Sequence, residues 1–106
     1  MPKYLFNFKL SPEGLRGVLA EGGTARRAAV KNAIEALGGS VEANYYAFGD
    51  TDAVAICDLP DNETAAAFAA EVSASGRVAV STTALVTPEE MDRARQKRSG
   101  WRAPGA

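Results

Sequence analysis

The chain switches between a two-residue and a helical period. From Lys3 to Leu10, Tyr4, Phe6, Phe8 and Leu10 fall on one side, with Leu5, Asn7 and Lys9 on the other. That alternation predicts a strand with one strongly apolar face. Ser11-Pro12-Glu13 then opens a helix, with Ser11 as N-cap, Pro12 in the first turn and Glu13 at the positive dipole end. Gly22-Gly23 interrupts it, and Thr24 is placed to cap a second helix over 25–37. The apolar stripe there is Val30, Ala33, Ile34 and Leu37, and Gly38-Gly39 supplies the stop.

Residues 41–48 and 53–59 predict two more strands, joined as a β-hairpin at Gly49-Asp50-Thr51-Asp52. Pro60 stops the second. Asp61 and Asn62 are N-cap choices for a helix ending near Ala74, with Ala65, Phe68, Ala69 and Val72 as its stripe. Gly76 closes that helix, and the β-branched stretch 77–85 reads as a fourth strand. Thr87-Pro88-Glu89-Glu90 starts a last helix, with Thr87 and Glu90 as the two halves of a capping box. It fades into a basic tail broken by Gly100 and Pro104.

The order is β-α-β-β-α-β plus a terminal helix. It predicts an α+β, ferredoxin-like two-layer sandwich: a four-stranded antiparallel sheet, both helical layers on one face. The other face is left open. Four strands of about five residues, at ~3.3 Å per residue and ~4.8 Å between strands, present roughly 300 Å² there. Alternation assigns Leu5, Asn7 and Lys9 to that face, together with Asn44, Tyr46 and Phe48. An apolar area of this size is at the limit of what monomers expose, and a second copy of the same sheet is the economical cover.

Length and composition narrow the class. At 106 residues, 46% hydrophobic and 24% charged, the chain is one soluble-type domain that folds without a staple. Cys57 is the only cysteine, so there is no intrachain disulfide, and its apolar setting marks it as a buried small hydrophobe. No apolar run reaches the ~18 residues of a membrane span, and a cytoplasmic location is expected. The charge is lopsided: residues 1–92 carry seven cations against thirteen acids, a net of −6, and residues 93–106 carry five cations and no acid. That basic tail, with Trp101, suits an acidic surface on a partner, while the acidic body disfavours nucleic acid. Trp101 is expected to pack on the body or across a dimer.

The chemistry on offer is sparse. Histidine is absent, which removes the commonest general base and the usual haem and zinc ligand; no cofactor is expected. Asp50 and Asp52 suit a hard cation in principle, yet lack further ligands beside them. They read as turn residues, Asp50 bonding the turn and Asp52 capping the strand start, so no metal is assigned. Lys9 beside Asn7 is a candidate catalytic or anion-binding group if a dimer closes over it, and otherwise extends to solvent. Tyr45 and Tyr46 point to opposite faces, and parity places Tyr46 in the open-face pocket, as ligand donor or interface filler. Thr24 with Arg26 and Arg27 outlines a weak anion site at a helix start, without any nucleotide-binding motif.

With these elements placed, the sequence resembles the GYD-domain family, small bacterial and archaeal proteins. The resemblance rests on MPKYLF, SPEGLRGVL, EGGTARR, AFGDTDAVAICDLPDNETAAAFA and TTALVTPEEMDRA, and covers nearly the whole chain. It puts the domain at residues 1–92, with 93–106 as a basic helix end and flexible tail. The family commonly has a tyrosine between the two hairpin aspartates. Here that position is Thr51, so no phenol role at the tip carries over. The family is similar to the dimeric α/β-barrel group, in which two sheets face each other around a pocket. That group includes cofactor-free monooxygenases, small isomerases and haem-binding branches. The resemblance thus implies a ferredoxin-like fold and a homodimer or higher oligomer, and no fixed chemistry.

Three readings follow. The first is a homodimeric domain holding a small organic ligand between its sheets. The second is a cofactor-independent oxygenase or isomerase using Asn7, Lys9, Asn44 and Tyr46. The third is a protein-interaction or nucleic-acid accessory module working through the basic tail. The missing histidine and catalytic motif weigh against the second, so the first is preferred.

Overall fold

A computed structural model describes residues 1–106. The strands are β1 (Lys3–Leu10), β2 (Ser40–Tyr46), β3 (Ala53–Asp58) and β4 (Val78–Leu85). The helices are α1 (Pro12–Glu21), α2 (Gly23–Ala36), α3 (Asn62–Ala74) and α4 (Pro88–Ala94). The sheet order is β2-β3-β1-β4 with every neighbouring pair antiparallel, the ferredoxin-like order expected of the sequence. No helix is long and apolar enough to cross a membrane.

The core lies between the sheet and α2 and α3. Tyr4, Phe6 and Phe8 of β1 and Ala53, Ala55 and Cys57 of β3 meet Ile34, Ala65 and Phe68. Phe6 packs edge-on against Phe68, with ring centroids 5.0 Å apart at 67°. Burying side chains of this size stabilises by about 1.5–3 kcal/mol each. Tyr4 is buried with its phenol, and the hydroxyl donates to Asn62 Oδ1 at 2.6 Å, which offsets the cost of desolvating it.

The helix starts follow local chemistry. Ser11 Oγ accepts from the Gly14 N–H at 3.1 Å, Asp61 accepts from the Thr64 N–H at 2.9 Å, and Thr87 and Glu90 close the capping box. Thr24 does not cap α2. The helix begins at Gly23, and Gly22 holds the N-cap position at φ 91°, a conformation that favours glycine. Gly22 also ends α1, so one residue makes the sharp bend between the two helices.

One irregularity changes the side-chain plan. Within β2 the register shifts between Val41 and Ala43: Val41 opposes Cys57, but Ala43 opposes Ile56. The extra residue, Glu42, is a β-bulge that reverses parity beyond it. Asn44 and Tyr46 therefore oppose Ala55 and Ala53 on the helix-covered face, and Tyr45 takes the open face opposite Val54. This corrects the sequence-based assignment of Asn44 and Tyr46. Phe48 lies on neither face: β2 stops at Tyr46, and Phe48 projects into solvent from the connection.

The accessible surface is 7416 Å², against about 5,700 Å² for a folded monomer of this mass. The radius of gyration is 16.8 Å, against about 13 Å for a rounded domain of this length. Two features account for the excess, the uncovered sheet face and the C-terminal arm. Every residue from Pro88 to Ala106 is exposed. Trp101 is 76% exposed, so it does not pack on the body as one sequence-based option had it.

Candidate functional site

The open sheet face carries Leu5, Asn7 and Lys9, where alternation put them, flanked by Val54 and Ile56 of β3 and by Ser81 and Thr83 of β4. Sequence parity had missed Tyr45, which joins them through the bulge. At one end Lys3 donates to Asp58 at 2.9 Å and Glu42 at 3.4 Å. The hydrogen bond to Asp58 is the main reason its ammonium is held above the ordinary lysine range. Lys9, at the other end, lies 3.8 Å from Asp52 and is largely solvent-exposed. It extends to water within the single chain.

The hairpin tip is a clamp. Asp52 Oδ2 accepts from the Leu10 N–H at 2.7 Å, and the Asp52 N–H donates to Phe8 O at 2.9 Å. Thr51 Oγ1 lies 3.0 Å from Phe8 O and 3.2 Å from Ala53 O. Asp52 thus secures the end of β1 rather than capping its own strand, and Thr51 does part of the turn bonding expected of Asp50. Asp50 is exposed at the tip. No three His, Cys, Asp or Glu side chains converge anywhere in the chain.

The helix-covered face holds a second feature. Between the sheet and α1, α2 and α3 lies a cleft of about 150 Å³ lined by 13 residues, 11 of them hydrophobic. Its apolar walls include Phe8, Val30, Phe68 and Val72, and Ala29 and Ala33 leave space where larger side chains would fill it. Its lining also includes Arg26, Asn44 and Tyr46. Outside it, Gly23, Thr24, Arg27, Asn44, Tyr45 and Tyr46 line an adjoining polar pocket of about 310 Å³. Tyr46 belongs to both, and its ring lies so close to α2 that a Cβ on Gly23 would sit 3.0 Å from it.

The structure therefore divides one sequence-predicted site and unites another. Leu5, Asn7 and Lys9 stay together on the open face. Asn44 and Tyr46 leave them and join Thr24, Arg26 and Arg27 on the helix side. The four residues of the enzyme reading lie on opposite sides of the sheet and face no common substrate in one chain. The spaced alanines at 29 and 33 were the available signal for the cavity; they look like ordinary helix formers in a sequence.

Fold and surfaces together define a ferredoxin-like α+β domain with one sheet face uncovered and a cleft beneath its first two helices. The chain belongs to the GYD-domain family, whose model matches residues 4–94, from β1 through the end of α4. No curated protein and no solved structure matches it.

Proposed function

We propose that the protein is a homodimeric small-ligand-binding domain whose uncovered sheet face is closed by the same face of a second copy. The observation that carries this reading is the uncovered sheet face itself, where Leu5, Val54 and Ile56 are only half-buried and no helix of the chain lies over them. Its composition suits the role. Leu5, Val54 and Ile56 form an apolar centre beside Tyr45, an aromatic anchor 68% exposed in one chain. Asn7, Lys9, Ser81 and Thr83 provide polar groups that would line a ligand space between the sheets.

The arm supports the same reading. Its last stretch, residues 93–106, carries five cations and no acid against a net of −6 in residues 1–92, so a neighbouring body attracts it and offers Trp101 a surface. Binding is favoured over catalysis because the enzyme quartet is divided between two faces. The test is light scattering after size exclusion on the full chain and on Ile56→Lys. The wild type runs as a dimer and the variant as a folded monomer by circular dichroism; a wild-type monomer at micromolar concentration overturns the proposal. In native mass spectrometry, co-purified small molecules stay with the dimer and are lost with it.

A further inference from the structure

The cleft beneath α1 and α2 lies across the sheet from the self-association face and stands independently of it. We propose that it binds a small amphipathic carboxylic acid, its hydrocarbon body in the cavity and its carboxylate at the mouth, where Arg26 and Asn44 meet it. Three observations converge on that chemistry. The first is volume: a cleft of about 150 Å³ with mostly apolar walls matches a hydrocarbon body of about six carbons.

The second is the placing of polar groups. Of the 13 lining residues only Arg26 and Asn44 are non-hydrophobic, and Asn44 also lines the polar pocket outside. A ligand with an apolar body and a single anionic head makes use of both kinds of lining. An uncharged hydrocarbon would leave the guanidinium and the amide without a partner. A bare phosphate would leave the cavity empty.

The third is charge. Arg26 meets a single carboxylate, Glu21, at 3.4 Å in an exposed pair, while Arg27 in the adjoining pocket forms no salt bridge. The Arg27 guanidinium is therefore uncompensated in the adjoining pocket, which shares Asn44 and Tyr46 with the cleft. A planar guanidinium takes a carboxylate in two parallel hydrogen bonds, and such charge-assisted bonds are stronger than neutral ones. Tyr46 stands between the pockets, packed on Gly23, and covers the ligand where body and head join. Asn44 offers an amide N–H to the carboxylate oxygen that Arg26 leaves.

The experiment is a titration of the ¹⁵N-labelled full chain with hexanoate, hexanol and inorganic phosphate, followed by amide chemical shifts. Hexanoate is expected to move Ala29, Ala33, Asn44 and Tyr46 and to bind about tenfold more tightly than hexanol. Arg26→Gln should remove that preference, leaving hexanol binding unchanged. Ala33→Leu should fill the cavity and abolish binding of both. If Ala33→Leu fails to fold, Ala29→Val is the second cavity-filling variant, and retained hexanoate affinity in it counts against the site. Equal affinity for hexanoate and hexanol, competition by phosphate, shifts confined to Leu5, Asn7 and Ile56, or no shifts at millimolar hexanoate would each overturn the proposal. The oligomeric state does not enter any of these outcomes.

Discussion

The two faces of the sheet are built from the same strands, one residue out of step, and they obey different rules. On the covered face Tyr4, Phe6, Phe8, Ala53, Ala55 and Cys57 are all buried. On the other, Leu5, Val54 and Ile56 are half-buried and Lys9 and Tyr45 exposed. Those six side chains have closed their packing within one chain. The open face keeps apolar side chains with nothing of their own chain above them. What the contrast teaches is that hydrophobicity alone does not locate a core; the side the helices return to does.

The sharpest way to break the contrast is to truncate neighbours. Phe6→Ala should destabilise by about 3–5 kcal/mol in urea unfolding, because it opens a cavity against Phe68. Leu5→Ala, one residue away, should cost the protomer about 1 kcal/mol or less and show itself in the dimer dissociation constant. Equal effects would mean that the faces are not distinct.

Next in size is the clamp that ties the hairpin to both faces at the end of β1. Asp52→Ala leaves the Leu10 N–H without its 2.7 Å acceptor and should cost about 1–3 kcal/mol. Asp52→Asn retains an oxygen there and should cost less. The order of the two in thermal melts decides whether the hydrogen bond or the charge near Lys9 matters.

The arm gives a smaller effect, confined to association. Deleting residues 95–106 removes four of the five tail cations and should weaken the dimer without changing protomer unfolding, an effect that fades with added salt. Smallest is the α3 cap. Hydrogen bonds from Thr64 hold the Asp61 carboxyl below its ordinary value of 3.8. A depressed carboxyl contributes stability that is fully present above the ordinary value and is lost as pH falls through the lower, folded one. Melting temperatures of wild type should therefore drop more steeply below pH 3.8 than those of Asp61→Asn, which cannot titrate.

Much of the fold was legible because local chemistry and tertiary structure agree. Ser11, Asp61 and Thr87 cap where cap residues should, and the aromatic alternation of β1 gives the core face directly. The bulge was not legible. Val41 to Tyr46 contains no clean period, and adjacent tyrosines satisfy either parity, so nothing local identifies Glu42 as an extra residue. That single insertion moved Asn44 and Tyr46 across the sheet and brought Tyr45 to the open face. Thr24 misled for a related reason: Gly22, already in a positive-φ conformation, takes the cap position two residues earlier. The cleft depends on the packing of three helices against all four strands, which no window of sequence reports.

Cys57 sits at 0% exposure in an inner strand, between Tyr4 of β1 and Val41 of β2. Burial, with the nearby Asp58 charge, pushes its thiol up to about 11, so it is protonated and shielded at neutral pH. An alkylating reagent reaches it only when the centre of the sheet parts. Because it is the only sulfhydryl in the chain, labelling kinetics would follow a single amplitude. With reclosing fast, the rate gives the population of open molecules, and with reclosing slow, the opening rate itself. The molecule thus carries its own clock for its rarest conformations, read without adding a foreign probe.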